Sequence, residues 1–280
     1  MNFKAELVAC FGQPLAENPT GVMQEAAFAA AGLDWRYLTI EVAPAGLGDA
    51  VRGARAMGFR GFNCTIPHKV AVLPFLDELS KEARIIGAVN TVRREGSRLI
   101  GENTDGKGFL RGLTQDAGMD PRGKRAVLLG AGGAARAIAT ELLLAGVEEL
   151  IVMNRSAERA APMVEDLKPH GPIRYVPWRV NYEVRPETDL LINATSLGLY
   201  PNVDWAPDVD LSRAQCLVAD AVFNPPVTKF LAMAQARGLK TLDGLTMLVY
   251  QGVIGFEMWT GVKPDEGVMK QTLLDAMVKS

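Results

Sequence analysis

The chain has 280 residues, of which 48% are hydrophobic, and this length and composition suit two average domains with sizeable cores. Its 30 lysines and arginines nearly balance its 32 aspartates and glutamates, so it offers no basic surface for nucleic acid or for an anionic membrane. We therefore expect a small-molecule partner.

Short apolar strands alternate with amphipathic helices over the first hundred residues. We predict strands at residues 5–11, 37–42 and 59–64, and helices at residues 19–31 and 47–57. This order is typical of an open, mostly parallel α/β sheet covered by helices.

A second series of strands and helices begins near Lys124. The pattern predicts a strand at residues 125–129, a helix at 134–144, and further strands at 150–153, 173–176, 190–193 and 217–221. We interpret residues 106–242 as a Rossmann-type doubly wound dinucleotide-binding domain. Residues 1–105 form the substrate-binding domain, which the helical residues 243–280 complete, and a helix at 109–115 lies in the connection.

The three cysteines, Cys10, Cys64 and Cys216, are far apart and show no metal-ligand spacing. An odd number of cysteines favours a reducing compartment over a disulfide framework. The first residues show no signal-peptide pattern. The longest apolar stretch, residues 126–146, contains Arg136 and Glu141, so no membrane span is expected. We predict a soluble cytoplasmic protein, a monomer or homodimer, without a bound metal.

A glycine-rich turn follows the strand at 125–129, and it reads Gly130-Ala131-Gly132-Gly133-Ala134-Ala135. This is a GxGxxA form of the dinucleotide fingerprint, between a strand and a helix as the fingerprint requires. The first glycine permits the tight turn, and Gly132 lets the backbone approach a pyrophosphate at the helix N-terminus.

The end of the next strand indicates which dinucleotide binds. NAD enzymes usually carry an acidic residue there to hold the ribose hydroxyls, whereas this strand ends in Asn154, Arg155 and Ser156, with Arg159 one helical turn later. Asn154 does not repel a 2′-phosphate, and the arginines offer forked donors to it. We predict NADP as the cofactor, with NAD as the alternative.

Three segments in the first half concentrate polar residues: 63–69, 87–91 and 103–106. We expect each to follow an apolar strand. Ligands of open α/β sheets bind at the carboxyl ends of the strands, so these segments are candidates for the substrate site.

These three segments, the glycine-rich turn, residues 193–196 and residues 243–251 together resemble shikimate dehydrogenases, in the same order along nearly the whole chain. The resemblance implies NADP-dependent oxidation of a ring hydroxyl in aromatic amino acid biosynthesis. It implies that Lys69 and Asp105 are the catalytic pair. It also implies a set of binding residues: Thr65, Asn90 and Gln251 for the substrate, and Thr195 and Met247 for the cofactor.

The chemistry of alcohol oxidation agrees with this pair. A base must take the hydroxyl proton while hydride leaves carbon. A lysine serves as that base when burial or a cationic neighbour favours its neutral form. Asp105 opposes deprotonation of a nearby lysine, so its expected role is to orient Lys69 and to hydrogen-bond the substrate hydroxyl.

The sequence departs from the family pattern where shikimate dehydrogenases hold the substrate carboxylate. Asn18 and Thr20 stand in place of two serines, and Phe223 stands in place of a tyrosine. Asn18 precedes Pro19, which is also a favourable helix start. Losing one hydrogen bond to a carboxylate costs about 1.5–3 kcal/mol. Quinate, an aminoshikimate or another cyclic polyol therefore stay open as substrates, and a non-catalytic NADP or metabolite sensor is the other class.

Overall fold

The computed structural model describes residues 4–278. The chain divides into two compact units. The first comprises the chain up to Thr104 together with the chain from Gln251, and the second comprises Asp105–Tyr250. The domain limits given above stay predictions, and their outermost residues, 1–3 and 279–280, lie outside the described part of the chain.

The first unit begins with alternating strands and helices. In chain order they are β1 (Glu6–Gly12), α1 (Thr20–Ala30), β2 (Trp35–Glu41), α2 (Leu47–Met57), β3 (Gly61–Cys64), α3 (His68–Ala71), β4 (Glu78–Leu79), α4 (Lys81–Ile86), β5 (Thr91–Glu95) and β6 (Arg98–Glu102). Helix α2 buries Leu47, Val51 and Ala54, a spacing that keeps one apolar stripe on the core side.

The strands of this unit form one six-stranded sheet in the order β2-β1-β3-β5-β6-β4. Strand β1 is parallel to both of its neighbours, whereas β5 is antiparallel to β3 and to β6. The expectation that the segment at 87–91 follows a strand is therefore wrong, since it precedes β5. Because β5 runs in the opposite direction, its first residue, Thr91, still pairs with Asn63 and Glu102 at the carboxyl ends of β3 and β6.

The second unit contains most of the remaining elements. They are α5 (Thr104–Gln115), β7 (Arg125–Leu129), α6 (Gly133–Ala145), β8 (Glu149–Asn154), α7 (Ala157–Leu167), β9 (Ile173–Pro177), β10 (Tyr182–Glu183), β11 (Leu190–Asn193), β12 (Val209–Asp210), β13 (Leu217–Asp220), α8 (Lys229–Gln235) and β14 (Thr241–Leu242).

Six of these strands form a sheet in the order β14-β13-β11-β7-β8-β9, and every pair in it is parallel. The order reverses between β7 and β11, which is the doubly wound arrangement of Rossmann folds. The predicted fold class, a mostly parallel α/β sheet unit followed by a Rossmann-type unit, is confirmed. The reversal places the ends of β7 and β11 side by side, where such folds bind ligands.

Two helices end the chain, α9 (Gly244–Thr260) and α10 (Glu266–Val278). From Gln251 onward they belong to the first unit, where the rings of Phe28 and Phe256 stack with centroids 5.1 Å apart. Trp259 donates from its indole nitrogen to the carbonyl of Val92 over 2.9 Å. Within residues 4–278, no helix has the length and apolar character needed to cross a bilayer.

Candidate active site

A buried hydrogen-bond network connects three of the predicted substrate-site segments in the first unit. The side-chain oxygen of Asn90 accepts from the backbone N–H of Thr104 over 2.7 Å. Its amide nitrogen donates to the Thr104 hydroxyl over 2.9 Å and to the side-chain oxygen of Gln251 over 3.4 Å. Asn90 and Gln251 are both buried, so the structure brings these two predicted residues together.

The network continues through Tyr37, which the sequence analysis did not select, and through Asn63 and Thr91, which lie in the selected segments but were given no role. The Tyr37 hydroxyl donates to Asn63 Oδ1 over 2.7 Å, and Asn63 Nδ2 donates to the Thr91 hydroxyl over 2.9 Å. Asn63 is buried although it lies inside the apolar strand β3. A polar residue inside a buried strand is the signal that could have identified this part of the site.

Lys69 lies in α3 at the same edge of the sheet. Its backbone carbonyl accepts from the N–H of Val89 over 2.7 Å, next to Asn90 in the chain. Burial raises the pKa of the Cys10 thiol to about 11, and a hydrogen bond with Tyr37 and the charge of Lys69 oppose this rise. The Lys69 charge also opposes the rise in pKa that burial gives Cys64. Lys69 is therefore close to the carboxyl ends of β1 and β3.

The loop after β1 is held against the loop that contains Thr65. The N–H of Gln13 donates to the carbonyl of Ile66 over 3.0 Å. A Cβ added at Gly12 would lie only 2.4 Å from Thr65 Cγ2, so the absence of a side chain at Gly12 permits this contact. This close contact fixes the position of Thr65, which is half-buried and follows the buried Phe62 by three residues.

Asn18 belongs to the loop after β1 and is half-buried. Its side-chain oxygen accepts from the backbone N–H of Thr20 over 2.9 Å, and its amide nitrogen lies 3.7 Å from the Cys10 sulfur. Helix α1 begins at Thr20, with Pro19 at the N-cap position. Asn18 therefore lies one residue before the N-cap and not at the N-cap position that the sequence pattern suggests. Its side chain still accepts from the first helical N–H.

Asp105 follows Thr104 and lies in the first turn of α5, where the positive end of the helix dipole stabilises a carboxylate. It is half-buried. In the second unit, a Cβ added at Gly106 would lie 2.3 Å from the carbonyl oxygen of Ala137. This glycine therefore permits close contact between α5 and α6, which fixes the helix turn that carries Asp105.

The glycine-rich turn has a different requirement at each glycine. Gly130 has a φ of +111°, and a Cβ there would lie 2.7 Å from the carbonyl oxygen of Ala194, so a side chain is excluded by the protein itself. A Cβ at Gly132 or Gly133 would meet no protein atom within 4 Å. Gly132 and Gly133 therefore leave open space at the N-terminus of α6, and the flanking Ala131 and Ala134 are half-buried.

The end of β8 presents the predicted selectivity residues. Asn154 donates from its side chain to the carbonyl of Ser156 over 2.9 Å, and its own carbonyl accepts from the Tyr175 hydroxyl over 3.1 Å. These bonds fix the turn between β8 and α7. Arg155 and Arg159 are exposed on that turn, where solvent-facing guanidinium groups are available to an anion.

A buried carboxylic acid joins the ends of β11 and β13. Asp220 accepts from the side-chain amide of Asn193 over 2.9 Å and from the Thr228 hydroxyl over 2.6 Å. Burial raises the pKa of Asp220 to about 7, although these hydrogen bonds and one from the N–H of Val222 oppose the rise. Asn193 in turn accepts from the hydroxyl of Thr195 over 2.6 Å, so Asp220 fixes a predicted cofactor residue indirectly.

Phe223 and Met247 are half-buried residues of the second unit. Phe223 lies in the loop after β13. Met247 is in the first turn of α9, next to Thr246, whose backbone N–H donates to Asp243 over 2.8 Å. A Cβ added at Gly244 would lie 2.2 Å from the carbonyl oxygen of Val222, so the start of α9 contacts this loop.

The second unit has an all-parallel doubly wound sheet with an open glycine-rich turn, and the first unit is an α/β unit that buries a polar network. This combination defines the class of two-domain dinucleotide-dependent dehydrogenases. Three family models match the chain: the shikimate dehydrogenase substrate binding domain at residues 10–92, shikimate / quinate 5-dehydrogenase at residues 113–200, and the shikimate 5′-dehydrogenase C-terminal domain at residues 244–274. The protein belongs to the shikimate dehydrogenase family, as its sequence resemblance predicts.

Individual relatives cover the chain almost completely. The shikimate dehydrogenase (NADP(+)) of Moorella thermoacetica is 46% identical over 97% of this chain and 93% of its own. The ligand-free structure of 5-ketofructose reductase from Gluconobacter sp. is 48% identical, with a TM-score of 0.95 over 98% of this chain and 100% of its own. Shikimate 5-dehydrogenase from Thermus thermophilus, in complex with NADP(H) and shikimate, is 37% identical, with a TM-score of 0.86 over 97% of this chain and 99% of its own.

Proposed function

We propose that this protein catalyses the reversible NADP-dependent oxidation of a ring hydroxyl of shikimate or a close analogue (3-dehydroshikimate + NADPH + H⁺ = shikimate + NADP⁺). Family membership along nearly the whole chain carries the proposal. Lys69 and Asp105 are both present at the positions that the family pattern assigns to catalysis, which favours an enzyme over a sensor.

The second unit suits a dinucleotide. The space beside Gly132 and Gly133 is open to a pyrophosphate, and the N–H groups at the start of α6 point to the same place. Bound NADP supplies the carbon that accepts the hydride. Asn154 brings no charge to the ribose site, and the exposed Arg155 and Arg159 provide the donors for a 2′-phosphate.

Side chains of this protein transfer the hydroxyl proton. Lys69 takes the hydroxyl proton as the carbon–hydrogen bond breaks, and it returns that proton to the oxygen in the reverse direction. Asp105 accepts a hydrogen bond from the substrate hydroxyl. Thr65, Asn90 and Gln251 hold the other hydroxyls of the ring. Oxidation of the alcohol to a ketone thus balances reduction of the nicotinamide.

A second candidate substrate comes from one specific comparison. The Gluconobacter protein, 48% identical to this chain, is named a 5-ketofructose reductase. Its reaction class, reduction of a ketone on a polyhydroxylated carbon skeleton, uses the same hydride and proton transfers. We therefore propose 5-ketofructose as the alternative substrate.

We further propose that the protein acts in the cytoplasm on small molecules only, without nucleic acid, as a monomer or homodimer. All three cysteines are buried free thiols, which suits a reducing compartment. The near balance of acidic and basic residues provides no strong field for a polyanion.

The decisive experiment follows the absorbance of the reduced nicotinamide while the purified full-length protein is incubated with shikimate and NADP. We expect NADPH to accumulate, and we expect 3-dehydroshikimate to consume NADPH in the reverse direction. NADP binding without turnover of either compound or of 5-ketofructose would favour the sensor.

A further inference from the structure

His68 directly precedes Lys69 in α3, and the proposed function gives it no role. Its side chain is 0% exposed, whereas Ile66 and Val70, two residues away on either side, are exposed. Buried polar side chains in folded proteins have hydrogen-bond partners. The partner of His68 therefore shows what this buried residue does in a mostly exposed segment.

The imidazole ring of His68 makes its hydrogen bond to the loop after β2. Nε2 lies 2.7 Å from the carbonyl oxygen of Val42. A carbonyl only accepts, so Nε2 carries the ring hydrogen and donates it. Nδ1 has no hydrogen-bond partner among the described residues. Val42 is itself buried, and its N–H donates to the carbonyl of Gly12 over 3.0 Å, so the acceptor of the histidine is held at the carboxyl end of β1.

Helix α3 depends on such hydrogen bonds from outside. It has four residues, His68–Ala71, and a helix of this length does not stabilise itself. Two hydrogen bonds connect it to distant parts of the chain. One is the bond from the His68 ring to Val42, and the other runs from the N–H of Val89 to the carbonyl of Lys69 over 2.7 Å. The backbone that carries Lys69 is therefore held between the loop after β2 and the segment at 87–91.

His68 acts on Lys69 through this backbone. Successive residues of an α-helix lie about 100° apart around its axis, so the two side chains point in different directions, and only that of His68 is fully buried. The bond to Val42 fixes the helix turn from which the lysine side chain extends. A displacement of about 1 Å at a reacting group costs up to a hundredfold in rate.

We infer that His68 is a positioning residue, which donates from Nε2 to the Val42 carbonyl and thereby sets where the Lys69 amine meets the substrate hydroxyl. The inference rests on the proposed function, which assigns the transferred proton to Lys69. A histidine that only stabilised the fold would change the stability of the protein and leave the kcat of the folded fraction unchanged.

The first test compares two amide variants of different length. His68→Gln keeps an N–H donor near the position of Nε2, whereas the shorter side chain of His68→Asn does not reach the Val42 carbonyl. With NADPH and 3-dehydroshikimate, we expect His68→Gln to keep kcat within about threefold of wild type. We expect His68→Asn to lower kcat by about ten- to a hundredfold and to change KM by less than about threefold, because proton transfer is impaired and binding is not. The substrate is 5-ketofructose if the wild type reduces only that ketone.

The controls address folding and the general effect of the substitution. His170→Asn makes the same change at the other histidine of the chain, a half-buried residue of the second unit, and should leave kcat and KM unchanged. Thermal unfolding checks that each variant is folded. If His68→Asn does not fold, His68→Phe takes its place, since it keeps an aromatic ring and lacks the donor.

The second test asks whether the effect passes through Lys69. His68→Asn is combined with Lys69→Ala, and the residual rate is measured at high enzyme concentration. If His68 acts by positioning the lysine, its substitution should lower kcat by less than about twofold once the lysine amine is absent. The same ten- to hundredfold loss in both backgrounds would show that His68 acts independently of Lys69, which overturns the inference.

The remaining outcomes separate the inference from the proposed function. Equal kcat values for His68→Gln and His68→Asn, with an active wild type, would overturn the inference and leave the proposed function intact. The same holds if neither variant without the donor folds, since His68 is then required for the fold itself. A folded wild type that reduces neither 3-dehydroshikimate nor 5-ketofructose with NADPH would defeat both.

Discussion

The two units build their candidate sites from different parts of the chain. In the second unit, the backbone forms the site: a tight turn at Gly130, open space at Gly132, and the N-terminus of α6. In the first unit, side chains form it, through the network around Asn90. A backbone site is fixed once the fold is fixed, whereas a side-chain site changes with single substitutions.

The relatives agree with this difference. A shikimate dehydrogenase and a 5-ketofructose reductase match the chain at 46% and 48% identity. Nearly equal identity with proteins named for different substrates indicates that few residues decide which compound is bound. These residues are expected in the side-chain site, and five variants test how far the two units differ.

The largest effect is expected for Lys69→Ala. Removing the proton acceptor should lower kcat by about a thousandfold, within the range for general acid–base catalysis, while NADP affinity stays unchanged because Lys69 lies in the first unit. Steady-state kinetics measure kcat, and nucleotide titration measures NADP affinity. Lys81→Ala, at an exposed position, is the control. A variant that retains a tenth of the wild-type rate would remove Lys69 from the mechanism.

Two glycine variants test the backbone site. Gly130→Ala places a Cβ 2.7 Å from a carbonyl oxygen at a φ of +111°, so we expect a loss of about 2–3 kcal/mol in the free energy of unfolding. Gly132→Ala meets no protein atom and should leave stability unchanged while it weakens NADP binding about tenfold or more, because its Cβ enters the pyrophosphate space. Denaturation measures the stability of the two variants, and nucleotide titration measures their NADP affinity. Equal losses of stability in both variants would contradict the different roles assigned to Gly130 and Gly132.

A smaller effect is expected for Arg155→Ala. The guanidinium group contributes a charge-assisted hydrogen bond to the 2′-phosphate, so its loss should reduce the preference for NADP over NAD by about tenfold. The ratio of kcat/KM values for the two cofactors measures it. The exposed Arg179, changed to alanine, serves as the control. A wild-type protein that uses both cofactors equally would contradict the interpretation of the turn after β8.

The smallest effect concerns Asp220 and pH. Because burial raises the pKa of Asp220 to about 7, the folded state holds a proton there that the unfolded state has lost above its ordinary pKa near 3.8. The contribution of Asp220 to stability is therefore complete below about pH 4 and declines as pH rises through 7. Between pH 6 and pH 8 the loss should be about 1.4 kcal/mol.

Asp220→Asn tests this expectation, since the amide does not titrate. Urea unfolding at a series of pH values should show the wild type losing stability relative to the variant as pH rises from 6 to 8. Parallel pH profiles for the two proteins would show that Asp220 does not titrate in this range. Asp208→Asn, at an exposed position, controls for the change in net charge.

Much of the fold follows from local patterns. The predicted bounds of α2, β7 and β11 agree with the structure. Helix α2 has apolar residues at helical spacing and ends at Gly58, and the two strands are short, mostly apolar segments. The hairpin β5–β6 was not predicted. Its residues include Arg93, Arg94 and Glu95, and such charged residues mask the alternation that marks a strand.

The candidate site divides in the same way. The positions of Lys69, Asn90 and Gln251 were predicted from motifs, and they remain predictions as functional residues. Tyr37 was missed, and Asn63 was given no role although it lies in the selected segment 63–69, because their pairing is a hydrogen bond between residues 26 positions apart. A local pattern carries no information about such a partner.

The sequence by itself determined the alternation of strands and helices, the glycine-rich turn and the absence of an acid after β8, because each depends on neighbouring residues and on backbone conformation. The tertiary structure alone decided the direction of β5, which brings Thr91 to the edge where β3 and β6 end. It also decided which amides pair, and it placed the Asn18 side chain between the N–H of Thr20 and the Cys10 sulfur. Hydrogen bonds between distant segments form only after the sheet has set their register, so these features appear only in the folded protein.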